Sequence, residues 1–183
     1  MKRLQKASVL LSLIEEMRDR ESWCGETNIQ KATYFVQELT KVPLGFEFVL
    51  YRYGPYSFEL TDELTALRAD SILELEVRDP RYGPCFVPGK LRDLVIGRFQ
   101  KTIGRFRERI DFVAEKLGNK KVAQLECLAT ALYVRLEKGC PKDTNKQAKR
   151  IVALKPHISE PSAARAVKEV ESMFIEAEQL TEN

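Results

Sequence analysis

The sequence predicts a mainly α fold, with a winged-helix-like N-terminal half carrying a small β-hairpin wing and a C-terminal helical bundle that includes one long helix. Three observations predict it. Apolar residues recur at spacings of three and four through most of the 183 residues, the period of a helix face. Two stretches, 46–53 and 72–78, alternate instead and end at Gly54-Pro55 and Asp79-Pro80. Helices followed by a two-stranded ribbon are the order of a winged-helix unit. Residues 1–89 would form that unit and 90–183 the helical part, the two sharing one compact domain.

The first helix is expected over 2–20, with Ala7, Leu10, Leu11, Ile14 and Met17 on one face. Thr27 and Gln30 have the spacing of a capping box and open a second helix reaching about residue 40. Pro43 and Gly45 stop it. Aromatic and β-branched residues make 46–53 a strand, and Ser57 can cap a third helix over 58–69 with Leu60, Leu64 and Leu67 inward. Residues 72–78 and 85–87 would pair across a Pro- and Gly-rich tip. The long helix is expected over 91–117, because Phe99, Ile103, Phe106, Ile110, Val113 and Leu117 form a heptad-like seam. Gly97 and Gly104, one heptad apart, suggest close approach by another backbone. Gly118 ends that helix and Asn119 can cap the next, over 120–138, which Gly139 closes. Helices over 145–154 and 161–180 complete the chain.

Composition narrows the function. A net charge of +3 and a pI near 8.6 do not demand a nucleic-acid partner. No apolar run approaches the ~20 residues of a membrane span, so a cytoplasmic protein with no membrane partner is expected. Cys24, Cys85, Cys127 and Cys140 show no CxxC pair, so neither a disulfide nor a metal site is expected of them.

The densest local signal is Tyr51-Arg52-Tyr53-Gly54-Pro55-Tyr56-Ser57. Gly54 can take positive φ, and Pro55 fixes its own φ. Tyr51, Tyr53 and Tyr56 crowd this turn, either as core aromatics or as a surface.

Four segments in order carry a family resemblance. They are Gln30-Lys31-Ala32-Thr33-Tyr34-Phe35, Tyr53-Gly54-Pro55-Tyr56-Ser57, Leu125-Glu126-Cys127-Leu128-Ala129-Thr130 and Leu154-Lys155-Pro156-His157-Ile158-Ser159. The chain resembles the SocA-like antitoxin-associated domain, also called Panacea, and the related YwgA-like proteins, over about residues 27–168. The resemblance implies a mostly helical, winged-helix-like fold and a non-enzymatic adaptor or toxin-neutralising role. It brings no catalytic residues with it.

The residues themselves give little sign of an enzyme. His157 is the only histidine; Cys140 and Asp143 are near it in sequence, but nothing places them against it. GxGxxG, Walker and HExxH motifs are absent, so no cofactor is expected. Glu74 and Glu76 read as a solvated strand face. DNA reading by the third helix meets an electrostatic objection, since Glu59, Asp62, Glu63 and Asp70 stand there against Arg68 alone. Positive charge gathers over 90–109, where seven cations face two acids, and Arg98, Lys101, Arg105 and Arg109 form a helical stripe. The expected function is therefore a regulatory protein-interaction module. Its partner-binding residues are Tyr51, Tyr53, Tyr56, Glu59, Asp62 and Glu63, and surfaces of opposite sign also suit self-association. The alternative is a DNA-binding regulator using Arg98, Lys101, Arg105 and Arg109 or the wing.

Overall fold

A computed structural model describes residues 1–181. The elements run α1 (Arg3–Asp19), α2 (Glu26–Glu38), β1 (Val49–Tyr51), β2 (Gly54–Tyr56), α3 (Phe58–Ala69), β3 (Leu73–Glu76), β4 (Cys85–Pro88), α4 (Arg92–Arg98), α5 (Gln100–Leu117), α6 (Val122–Leu136), α7 (Thr144–Leu154) and α8 (Glu160–Thr181). The fold is mainly α with the expected wing. The wing is β3 paired antiparallel with β4, in the register Leu73↔Pro88 to Glu76↔Cys85. Among the described residues no helix is long and apolar enough to cross a membrane.

Three helices form the centre. Every residue of α1 from Ala7 to Ile14 is buried, as is every residue of α2 from Asn28 to Val36 and of α6 from Leu125 to Leu132. A helix buried all round belongs to a core, not to a surface. The Val9–Ile14 run carries this signal, which a single inward face understates. α1 packs against α5, α2 against α6, and α8 against both α6 and α7. One apolar cluster extends from Ala7 to Ala177, so residues 1–89 share a core with the described residues from 90 onward.

Several local expectations are corrected. The predicted long helix breaks at Phe99, which has φ −117° and ψ 24°, so Arg98 ends α4 while Lys101, Arg105 and Arg109 lie on α5. Gly97 and Gly104 face open space, since a Cβ built on either meets nothing within 4 Å; no backbone approaches them. Close approach instead requires Gly89, where a Cβ would collide with Ser71 O, and Gly118, where it would lie 2.6 Å from Arg20 Cβ. Lys121 rather than Asn119 precedes α6, and the Gln124 side chain accepts its N–H at 2.8 Å. Gln30 caps nothing: its amide reaches across to Ser57 instead. The strand expected over 46–53 is only Val49–Tyr51, and the chain returns at once as β2, with Val49↔Tyr56, Leu50↔Pro55 and Tyr51↔Gly54 in register. Ser57 does cap α3, its hydroxyl accepting from Leu60 N at 3.2 Å.

Candidate functional site

The β1–β2 hairpin is three residues long on each side, too short to be stable alone. It is held from beneath. Arg52 and Tyr53 form its tip, and Gly54 has φ +86°, where L side chains are strained. Gly54 also lies flat on α6: a Cβ would come within 3.2 Å of Thr130 Oγ1 and 3.4 Å of Glu126 O.

Three hairpin carbonyls accept from buried lysines. Lys31, 1% exposed, donates from Nζ to Pro55 O at 2.8 Å. Lys155 Nζ, from the segment after α7, donates to Tyr51 O and Arg52 O. The same ammonium stands 3.7 Å from Glu126 Oε1, and His157 Nε2 is 3.1 Å from that oxygen. Gln30 completes the attachment with two bonds to the Ser57 backbone, at 2.8 and 2.9 Å. Burial, opposed mainly by the nearby Glu126 carboxylate, pushes the Lys31 ammonium down to about pH 8. Glu126, 5% exposed, is the carboxylate facing both buried lysines. Its removal would leave buried cations uncompensated.

All four sequence segments that carried the resemblance meet at this clamp. Gln30 and Lys31 come from α2, Gly54 and Pro55 from the hairpin, Glu126 and Thr130 from α6, and Lys155 and His157 from the chain after α7. The sequence pattern marks these residues but gives no sign of this role. The clamp's hydrogen bonds span up to 104 positions and leave no local signal.

The upper face of the hairpin is aromatic and open. Tyr51 is 49% and Tyr53 60% exposed, so these two are not core residues. Tyr51, Tyr56 and Phe58 form a triangle with ring centroids 5.7, 5.8 and 5.1 Å apart. Phe58, 58% exposed, was missed; it stands at the start of α3, off the inward face of Leu60, Leu64 and Leu67. Glu59 and Asp62 are exposed beside it, and Glu59 accepts from Glu47 N at 3.0 Å. Glu63 is set apart by its ion pair with Arg3 at 3.1 Å, and the same guanidinium holds Asp70 at 2.8 Å.

The basic stripe is thinner than the sequence suggests. Arg109 donates to Thr40 O at 3.2 Å, and Arg105 and Arg109 both lie over the Phe106 ring. Nearby, Arg92 pairs with Glu15, and Arg107 with Glu16 and Asp111. The wing cations are also paired, Arg78 with Glu76 and Arg81 with Asp79.

No relay forms around His157, whose partner is Glu126. Asp143 caps α7 through Lys146 N at 2.8 Å, and Cys140 Sγ donates to Pro141 O. Burial pushes the Cys24 and Cys127 thiols up to about 11. Among the described residues no three His, Cys, Asp or Glu side chains are grouped to hold a metal ion. No protein-family model and no curated protein matches the chain.

Proposed function

We propose that the chain is a non-enzymatic regulatory module, akin to the SocA-like adaptors it resembles, that docks a protein on the upper face of the β1–β2 hairpin. The observation that carries this reading is a buried charged clamp spent on holding a short hairpin whose outer face is exposed aromatic surface. A pre-held surface loses little conformational entropy on binding. Tyrosine-rich area of this kind is enriched among binding hot spots. Glu59 and Asp62 at its border favour a partner segment carrying Lys or Arg and disfavour nucleic acid.

The test compares two surface variants in capture from nuclease-treated lysate of the source cells. Tyr51→Ala/Phe58→Ala/Asp62→Lys should stay folded and lose the bound protein. Arg98→Ala/Lys101→Ala/Arg105→Ala should keep it. The opposite pattern would refute this docking face.

A DNA-binding reading rests on Arg98 and Lys101, exposed cations for which no ion pair is found among the described residues. It predicts duplex binding whose log–log salt slope shrinks by about 0.9 for each phosphate contact removed.

A further inference from the structure

A second feature lies on the other side of α3. The wing tip folds back toward the start of α2 and leaves a groove of about 420 Å³ between them, floored by α3. That volume falls within the range of small-molecule sites. The Trp23 indole N–H donates to Gly83 O at 3.0 Å and fastens the tip, and the Trp23 and Tyr82 rings stand 5.3 Å apart at its mouth. Phe86 adds to the apolar wall.

The polar end of the groove is at the first turn of α2. Gly25 precedes this 13-residue helix and offers no side-chain cap, so the N–H groups of Glu26, Thr27 and Asn28 remain for another acceptor. A helix start attracts negative charge. The independent observation is Asn28. Its side chain lines the groove, the residue is only 4% exposed, and its amide makes no hydrogen bond among the described residues. Its amide is not among the fully enclosed unpaired groups, so it opens into the groove, where a ligand can meet it. Arg68, exposed on α3 and in no ion pair among the described residues, lines the same groove. Glu26 opposes an anion there, but its Oε1 is held by the Tyr56 and Thr61 hydroxyls at 2.9 and 2.8 Å.

We propose that this groove binds a small organic oxyanion, a carboxylate or a phosphate monoester on an aromatic body. Its charged end would sit at the first turn of α2 with Asn28 and Arg68, and its ring against Trp23 and Tyr82. Trp23 is the only tryptophan in the chain, so its fluorescence reports on this groove alone. The full chain is titrated with phenyl phosphate, phenylacetate and inorganic phosphate. At least one aromatic probe should saturate with a Kd of about 1 mM or tighter, and inorganic phosphate should bind at least about tenfold more weakly. Whichever aromatic probe binds tighter identifies the headgroup. Arg68→Glu, on an exposed side chain, should leave the melting curve unchanged and weaken binding by about tenfold or more. Asn28→Ala should also weaken it, with calorimetry as the second readout. Failure of both aromatic probes to saturate, equal binding of inorganic phosphate, or an unchanged affinity in Arg68→Glu would each overturn the proposal.

Discussion

Lys31 shows how a single residue can be held at a cost and still hold the fold together. Its ammonium is buried, so its pKa falls from the ordinary 10.5 to about 8. Below about pH 8 both folded and unfolded chains carry the proton, and the burial cost is present in full. Between about pH 8 and 10.5 the unfolded chain binds a proton that the folded chain has released, so this group makes stability rise with pH. Cys24 and Cys127 act in the opposite sense, because their thiols stay protonated to about 11 when folded. Comparing wild type with Lys31→Met at each pH cancels them. Wild type should gain on the order of 2 kcal/mol relative to the variant between pH 8 and 10, read from urea unfolding. A flat difference would mean that Lys31 is not desolvated. Gly54 is constrained twice, by its φ of +86° and by contact with Thr130 and Glu126. Gly54→Ala should therefore cost about 2 kcal/mol or more, seen as a lowered melting temperature.

At the scale of elements, the sequence announces what is decided locally. The Ser57 cap, the α3 face and the wing are legible, because each depends on neighbours within a few positions. The β1–β2 hairpin is not. Three-residue strands carry too little alternation to be recognised, and Pro55 reads as a turn former although it faces Leu50 in the ladder. The lysines read as solvated charge, since nothing near Lys31 or Lys155 in sequence announces the carbonyls they meet. The glycines of α4 and α5 differ from expectation for a related reason: helical spacing alone does not make a contact. With open space around both, Gly97→Ala and Gly104→Ala should each stabilise by about 0.5–1 kcal/mol, measured by thermal melting. Destabilisation by either would show that something packs there.

At the scale of the molecule, the wing-bearing half and the helical half share one apolar core. α1 is buried all round chiefly because α5 covers it, and α2 is covered by α6. A fragment of residues 1–89 should lack a cooperative melting transition in circular dichroism, and a sharp transition would restore two independent domains. The same interlocking brings residues from α2, from α6 and from beyond α7 beneath one hairpin, so the face proposed for docking is held by segments far apart in the chain. The most direct measurement of that face uses a photo-crosslinking amino acid at position 53, at the hairpin tip, and another at 175, an exposed position on α8. After nuclease treatment, the protein captured by the chain should crosslink to position 53 and not to position 175. Crosslinking at 175 alone, or at a third probe placed at 101 in the basic stripe but not at 53, would contradict the account.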